Sequence, residues 1–289
     1  MNSDYTRRTF VQQTLLGSLG LLAGNSFLHA ADEPRRLKEI GLIVGVLGKE
    51  MRSDWEGTLR KVAQMGYTHL EFNKYYGESA ASFKRFLQEV GLKPLAGGLS
   101  ISEMKKEDLL KKAVDEALFL EKKYMVCYWP WPDSGNDKKL DDFKKAADDL
   151  NYVGEQCNKM GIRFAMHNHD KEFVPVQGYK WGYEVLLKET DPAKVAMQLD
   201  LYWVTKGGGD PIQLLKDYPE RFELFHVKDM DKTSKQSFTC PGYGIIDFKK
   251  IFAQAKKSNV KHYVVEIDRA EQPMTCVQDS ITYLKKLRY

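Results

Sequence analysis

The chain has 289 residues, and its 44 Lys and Arg against 40 Asp and Glu give a formal charge of +4. A positive charge so slight and so evenly spread argues against a protein that binds nucleic acid or the surface of an anionic membrane.

Residues 1–30 have the layout of a bacterial export signal. Arg7 and Arg8 precede an apolar stretch at residues 15–28, which Gly and Ser interrupt. This layout is typical of the twin-arginine route, with cleavage near Ala30 and a periplasmic mature protein. A retained membrane anchor is the alternative, but the stretch is short for about 30 Å of hydrocarbon. We therefore expect no stable membrane insertion once the signal is removed.

Removal of these 30 residues leaves 259 residues with a net charge of about +3, and this length is close to the roughly 250 residues of one α/β barrel. The remaining chain repeats one pattern, an amphipathic helix that ends at Gly or Asn and is followed at once by a short apolar run. The pattern occurs at residues 62–72, 86–98, 157–169 and 257–268. Further strands are predicted at residues 40–48, 124–129, 195–203 and 222–229, and a last helix at 276–287.

The alternation of strands and helices predicts a parallel sheet covered by helices. An open doubly wound sheet is the alternative, but neither a Gly-x-Gly-x-x-Gly motif nor a phosphate-binding loop follows the first strand. Eight such units in one domain of this size predict a single (β/α)8 TIM barrel over residues 31–289.

The four cysteines, Cys127, Cys157, Cys240 and Cys276, lie far apart without Cys-x-x-Cys spacing, which argues against a zinc cluster. Export permits disulfides. The sequence leaves their pairing open, and buried free thiols are an equal alternative.

Functional groups of such a barrel lie at the carboxyl ends of its strands. The predicted strands end at these polar residues: Glu71, His167, His169, Asp200, His226, Lys228, Glu266 and Asp268. Because the fifth to eighth strands are neighbours, His167, Asp200, His226 and Glu266 can converge on one point. Two imidazoles and two carboxylates suit one divalent ion of Mn, Co, Zn, Fe or Ni. Taken singly, each residue could instead be a hydrogen-bonded group at the rim or the N-cap of the next helix.

Five motifs in this order, HNHDKEF, LDLYW with GGGDP, FHVKD, GYGIIDF and VVEID, resemble the xylose isomerase-like TIM barrels that are usually called sugar phosphate isomerases/epimerases. The similarity runs from about residue 40 to the C-terminus. It implies one divalent cation held by four strand-end residues, and the pattern carries over directly to Asp200, His226 and Glu266. At the remaining position many members have a glutamate before asparagine, where this chain has His167.

The resemblance also implies a reaction. In the epimerase branch, two metal-bound glutamates on opposite faces of the sugar remove and return a proton next to the carbonyl. With His167 in place of one of them, we expect proton abstraction on one face by Glu266, followed by loss of a leaving group or addition of water. His169 is predicted to be the acid that assists the leaving group, because an imidazole pKa lies near neutrality, or alternatively to orient a ligand. Lys228 is predicted to neutralise an enolate oxygen, or alternatively to form a salt bridge with Asp229 or Glu266.

An exported enzyme is expected to meet free sugars, glycosides or their keto forms rather than cytoplasmic sugar phosphates. Residues 204–211 could form a phosphate-binding loop, but a tight turn with Asp210 as the N-cap of a helix near Pro211 is the preferred prediction. The candidates for contact with the substrate are Glu71, Glu172, Trp129 and Trp203. Aromatic residues at these strand ends suit stacking on a pyranose face, or equally packing at the barrel rim.

We therefore predict an exported, metal-dependent enzyme that abstracts the proton next to a sugar carbonyl, as a lyase or hydratase on 3-keto-glycosides. The alternatives are a ketose 3-epimerase or isomerase on free sugars, and a barrel that binds sugar without catalysis. Endonuclease IV shares the barrel, but it needs ligands for three zinc ions and a basic face for DNA, so no nucleic-acid partner is expected. The sequence leaves the metal, the sugar and the oligomeric state open, with a homo-oligomer as one alternative.

Overall fold

Eight parallel strands close into a barrel in the computed structural model, which describes residues 35–132, 135 and 138–289. The barrel strands are β1 (Gly41–Ile43), β2 (His69–Glu71), β3 (Lys93–Ser100), β4 (Tyr124–Trp129), β5 (Arg163–His167), β6 (Val195–Asp200), β7 (Phe222–Val227) and β10 (His262–Val265). β10 pairs with both β7 and β1 and so completes the ring. A small antiparallel sheet of β8 (Asp229–Met230) and β9 (Phe238–Thr239) follows β7. The predicted closed barrel is confirmed, whereas the predicted export signal lies outside the described residues.

Helices follow the barrel strands. They are α1 (Gly48–Ser53), α2 (Trp55–Met65), α3 (Ala80–Val90), α4 (Ile101–Met104), α5 (Glu107–Phe119), α6 (Leu140–Lys159), α7 (Gly182–Glu189), α8 (Leu201–Lys206), α9 (Pro211–Asp217), α10 (Phe248–Ala255) and α11 (Pro273–Lys286). Short 3-10 helices at Val44–Leu47 and Asp170–Phe173 follow β1 and β5. Over the described ranges, none of the helices has both the length and the apolar character that crossing a membrane requires.

Capping residues explain where the helices begin and end. Asp54 accepts a hydrogen bond from Gly57 N at the start of α2, which ends at Gly66 with a φ of 96°. Ser79 caps α3 in the same way, and α3 ends at Gly91 with a φ of 75°. Glycine is favoured at such left-handed ends because it has no Cβ. The next strand begins within a few residues, as the repeated sequence pattern predicts.

Three predicted strands were too long. The predicted strand at residues 40–48 ends early as β1, and the chain continues in helices with Leu47 and Met51 buried. An apolar run in a buried helical turn resembles a strand when only its length and hydrophobicity are considered. β6 ends at Asp200 and passes directly into α8, and β7 ends at Val227 before the small sheet.

A layer of apolar side chains supports the carboxyl end of the barrel from below. It consists of Val126, Ala165, Ala196, Leu224 and Val264, all of them buried. Each lies two residues before an inward-facing polar residue, in turn Tyr128, His167, Gln198, His226 and Glu266. Since side chains two apart on a strand share one face, the polar residues rest directly on this layer.

Asp229 organises the loop after the small sheet. Its carboxylate accepts hydrogen bonds from the backbone N–H groups of Met230, Gly242, Gly244 and Ile246. Gly242 has a φ of 101°, and a Cβ on Gly244 would lie only 2.2 Å from Met230 O. Both positions therefore require glycine, and the GYGIID motif has a structural role in this loop.

A disulfide between Cys240 and Cys276 joins the segment after β9 to α11. Cys127 and Cys157 are buried free thiols. The tertiary structure thus decides the pairing that the sequence left open.

The double variant Cys240→Ser/Cys276→Ser is expected to lose about 3–4 kcal/mol of unfolding free energy, because the bond closes a loop of 36 residues in the unfolded chain. Denaturant titration measures this loss. Reductant should shift the midpoint of the wild type and leave that of the double variant unchanged. Equal midpoints for the oxidised wild type and the double variant would contradict a stabilising disulfide.

Candidate active site

Four residues converge at the carboxyl ends of neighbouring strands. His167 ends β5, Asp200 ends β6, His226 lies on β7 and Glu266 follows β10. One potential ligand atom from each residue lies within 4.8 Å of the others. The first three are buried, whereas the side chain of Glu266 is 15% exposed. The predicted convergence is confirmed, and the pairing of Asp200 with His226 in the sheet register brings it about.

The two carboxylate oxygens of Asp200 have different surroundings. Oδ1 accepts a hydrogen bond from Trp203 N at 2.8 Å and caps α8. Oδ2 is buried and has no hydrogen-bond partner among the described residues, with Lys228 Nζ 3.8 Å away. A buried acceptor without a donor costs about 1–3 kcal/mol, and a cation at the centre of the cluster would satisfy it. The capping interpretation and the ligand interpretation therefore apply to different oxygens of one residue.

A chain of hydrogen bonds determines the tautomer of His167. Gln198 donates its Nε2 to Glu71 Oε2 at 2.9 Å, so its amide oxygen faces His167 Nδ1 at 3.1 Å. Because an amide oxygen only accepts, Nδ1 carries the hydrogen and Nε2 keeps its lone pair. Burial, reinforced by His226, holds the pKa of His167 well below its ordinary value. The ring is therefore neutral, with a nitrogen ready to bind a cation.

His226 lies between two carboxylates. Its Nε2 is 3.0 Å from Glu71 Oε1, and its Nδ1 is 2.6 Å from Glu266 Oε2. Burial disfavours the imidazolium, but the two carboxylates outweigh it and hold the pKa of His226 well above its ordinary value. Glu71 accepts the hydrogen on Nε2. Nδ1 is therefore the nitrogen that can give up its proton and bind a cation together with Glu266.

Lys228 supplies a fixed positive charge to the cluster. Its Nζ contacts the carboxylate of Asp268 and lies 3.8 Å from Asp200 Oδ2 and 3.9 Å from Glu266 Oε2. Burial lowers the pKa of Lys228, but these carboxylates outweigh that effect and hold it above its ordinary value. The predicted pairing with Glu266 is present, whereas Asp229 binds backbone amides instead.

The charges and donor atoms of the cluster fit one divalent cation. When ionised, Glu71, Asp200, Glu266 and Asp268 contribute four negative charges and Lys228 one positive charge, so the sum with neutral histidines is −3. Burial raises the pKa of Asp200 to about 8 even though Lys228 lowers it, so a cation beside this carboxylate would favour its ionised form. The mixed nitrogen and oxygen donors suit Mn, Fe, Co, Ni or Zn.

His169 lies beside the cluster between two partly exposed aromatic rings. Its ring centroid is 5.4 Å from those of both Trp129 and Trp203, and 4.8 Å from that of His167. Burial lowers the pKa of His169 to about 4, although Glu266 acts in the opposite direction. This pKa lies below the near-neutral value expected from the sequence, and it favours a neutral ring at neutral pH. Its Nδ1 has no hydrogen-bond partner within the described part of the chain, so an orienting role is open to it.

The two glutamates predicted to contact the substrate bind protein groups instead. Glu71 is fully buried and receives hydrogen bonds on both oxygens, including one from Tyr128 Oη at 2.6 Å. Glu172 is also buried, and its oxygens accept from Trp131 Nε1 and His169 N. Burial raises the pKa of Glu172 to about 7. Both carboxylates therefore support the site rather than line its opening, whereas Trp129 and Trp203 retain exposed surface.

The sequence reasoning missed Gln198 and the role of Asn168. Asn168 Oδ1 accepts a hydrogen bond from Asp200 N at 3.0 Å, and so ties the end of β6 to the segment after β5. A signal for Gln198 was present, since it is the one polar residue in the apolar run VAMQL and lies two residues before Asp200 on the same face.

The glycine-rich segment before α9 forms the predicted turn. Asp210 caps α9 by accepting from Ile212 N at 2.8 Å and Gln213 N at 3.2 Å. A Cβ on Gly209 would lie 2.9 Å from the ring of Phe173, so this glycine permits close packing. The segment therefore has a structural explanation that does not involve phosphate.

The variants Asp200→Ala and His226→Ala are each expected to lose the bound cation while the fold survives, because each removes one ligand. Asp210→Ala is the matched control: it removes a helix cap but no ligand, and should lose about 0.5–2 kcal/mol of stability yet keep the metal. Elemental analysis and thermal unfolding measure both effects. A full equivalent of metal in both ligand variants would remove the proposed site.

The variant Gln198→Leu is expected to weaken metal binding by about 10–100-fold, because His167 loses the acceptor that fixes its tautomer. Chelator competition measures the affinity, with Gln213→Leu on the exposed face of α9 as the control. An unchanged affinity in Gln198→Leu would show that the hydrogen-bond chain does not support the ligands.

Comparison with known proteins agrees with the barrel fold. The model of the xylose isomerase-like TIM barrel matches residues 59–287. An inosose dehydratase from Geobacillus kaustophilus is 24% identical over 261 residues, which cover 78% of this chain and 83% of that protein. A solved sugar phosphate isomerase/epimerase from Parabacteroides distasonis is 28% identical, with a TM-score of 0.72 over 92% of this chain and 98% of that chain. The IOLI protein, which was solved with a zinc atom, also shares the fold. It is 17% identical, with a TM-score of 0.67 over 86% of this chain and 96% of the IOLI chain. The chain therefore belongs to the xylose isomerase-like TIM barrel family.

Proposed function

We propose that this protein is an exported, divalent-metal-dependent lyase, which abstracts the C2 proton of a 3-keto-glycoside and expels the substituent at C1. The chain is a sugar-modifying enzyme of the isomerase, epimerase and lyase group. The lyase reaction, the substrate and the location are the specific parts of the proposal.

The position of His167 among the ligands carries the proposal. An epimerase needs a base on each face of the sugar. The Nδ1 of His167 is bound to Gln198 and its Nε2 is the nitrogen left for the cation, so this residue has no free nitrogen to act as a second base. Among the cluster carboxylates Glu266 is 15% exposed, whereas Asp200 and Glu71 are fully buried. This arrangement supports proton abstraction by Glu266 on one face.

The relatives support elimination as the reaction type. The similar protein from Geobacillus kaustophilus is a dehydratase, and dehydration is the loss of a hydroxyl leaving group. Loss of an alcohol or a phenol from C1 is the same kind of step with another leaving group. The IOLI protein, which was solved with a zinc atom, supports a bound cation in the proposal.

A divalent cation held by His167, Asp200, His226 and Glu266 would draw electron density from the C3 carbonyl oxygen and so acidify the hydrogen on C2. Glu266 accepts the C2 proton. The electrons of the C2–H bond form a C1=C2 double bond as the C1–O bond breaks. The leaving group departs with the electrons of that bond and takes up a proton from solvent, which leaves a 1,2-unsaturated 3-ketosugar. Lys228, 3.9 Å from Glu266, places a positive charge beside the developing anion.

Location outside the cytoplasm is supported by two features. Residues 1–30 have the layout of a twin-arginine signal. The bond between Cys240 and Cys276 suits an oxidising compartment, because disulfides are rare where thiols are kept reduced. An exported lyase would meet glycosides and their oxidised forms before uptake.

The variant Glu266→Gln is expected to lose aglycone release from a 3-keto-glucoside by about 10²–10⁴-fold, because an amide cannot accept the C2 proton. Product formation is measured by chromatography, and metal content is determined in parallel. Glu271→Gln, an exposed acid in the following loop, should retain wild-type turnover. In deuterium oxide, a methyl glycoside with its slow leaving group should gain deuterium at C2. Efficient interconversion of free ketose epimers without cleavage of keto-glycosides would favour an epimerase instead.

Variants of His167 and His169 are expected to differ in metal content. His167→Ala should lower metal occupancy sharply, because it removes a ligand. His169→Ala should keep the metal but lose turnover, because the ring lies between Trp129 and Trp203 where it can orient the substrate. Metal content and the rate of aglycone release separate the two effects, and the reversed result would mean that the ligand and orienting roles are exchanged.

A further inference from the structure

We propose that the barrel mouth contains a subsite for the leaving group that selects aromatic aglycones with an acidic substituent; this inference rests on the proposed lyase function. The subsite is a cavity of about 600 Å³ bounded by α8, the segment between β8 and β9, and the loop after β10. Its volume lies within the range of roughly 300–1,000 Å³ that small-ligand sites occupy.

Aromatic side chains form one wall of this leaving-group subsite. The ring centroid of Phe238 lies 5.6 Å from that of Trp203 and 4.7 Å from that of Tyr202. Trp203 and Phe238 are partly exposed, whereas Tyr202 is buried behind them. A flat wall of this kind favours a planar ligand, because aromatic rings gain from stacking or edge contact beyond the area that they bury.

Lys228 connects the leaving-group subsite to the reacting atoms. Its Nζ lies 4.8 Å from the ring centroid of Trp203 and 4.7 Å from that of Phe238. The same atom lies 3.9 Å from Glu266 Oε2. One ammonium group therefore separates the proposed base from the aromatic wall. Because C1 is bonded directly to C2, the C1 substituent of a sugar held against Glu266 can reach this cavity.

The charge of the cavity favours an anion. Lys235 and Arg269 line it, and neither forms a salt bridge within the described part of the chain. The acidic residue in its lining, Asp268, is already paired with Lys228. Two positive charges therefore remain for a carboxylate on the aglycone, or for the phenolate that forms when the C1–O bond breaks.

The segment between β8 and β9, which carries Lys235, is held in place by contacts with the rest of the protein. Tyr202 Oη donates to Gln236 O at 2.8 Å, and Lys206 Nζ donates to Lys235 O at 3.0 Å. Just after β9, the disulfide at Cys240 fixes the far end of the segment to α11. A preordered segment loses less conformational entropy on binding, so the charge of Lys235 can contribute to affinity.

The test uses the metal-loaded enzyme and three 3-keto-glucosides that differ only in the aglycone: methyl, phenyl and 4-carboxyphenyl. The wild type should prefer phenyl to methyl, and its KM for 4-carboxyphenyl should be about tenfold lower than for phenyl. The double variant Lys235→Gln/Arg269→Gln should reduce this tenfold preference to about one. Lys232→Gln, an exposed charge on the same loop outside the cavity, should keep it. Calorimetry with 4-hydroxybenzoate should show the same loss of affinity without turnover.

The outcomes separate this subsite from the lyase function. Cleavage of all three substrates with equal KM for phenyl and 4-carboxyphenyl would overturn the subsite and leave the lyase. If the double variant raised the KM for the phenyl and the 4-carboxyphenyl substrate equally, the two residues would only support the fold. This result would also overturn the proposed preference for an acidic aglycone. Failure to cleave any of the three would overturn the lyase function and the subsite with it.

Discussion

The carboxylate of Glu71 is the group on which both histidine ligands depend. It extends from β2, on the opposite side of the ring from β6, and reaches Gln198 through one oxygen and His226 through the other. Gln198 in turn holds His167. One buried acid thus determines which nitrogen of each imidazole carries hydrogen and which is left for a cation. Only a closed barrel brings these residues together, so the geometry of the site is a consequence of barrel closure.

The cost of burying charge explains why this arrangement includes so many polar groups. An isolated charge in the interior is unfavourable by several kcal/mol, and removal of one partner leaves the others uncompensated. Asp200, Glu266 and Lys228 therefore stabilise each other only as a set, which a divalent cation would complete. The low dielectric that makes these charges costly also strengthens their action on a substrate anion. Stability and chemistry thus depend on the same exclusion of water.

At the end of β5, His167 supplies an imidazole where the family resemblance implies a glutamate. An imidazole can occupy the position of a ligand, but its second nitrogen is bound to Gln198 and cannot move a proton. In the proposed reaction, the proton transfer then falls to Glu266. The groups at the barrel mouth are carried by α8 and by the segment after β7, outside the barrel strands. Substrate selection can therefore change there while the cation site is retained.

Much of the fold and of the ligand set could be predicted from local patterns. Alternation of strands and helices, the strand ends and the candidates Asp200, His226 and Glu266 follow from residues that are close in the sequence, because periodicity and chain direction determine which face a side chain takes. The end of β1 was misjudged because helical and extended buried segments share the same composition.

The remaining features required contacts between distant parts of the chain. Glu71 and Gln198 are 127 residues apart, and Cys240 and Cys276 are 36 apart, so no local pattern could pair them. The neutrality of His169 depends on the rings that enclose it. By itself the sequence determined which side chains stand at the strand ends. Only the tertiary structure decided their protonation and partners, because burial and the field of neighbouring charges arise when the barrel closes.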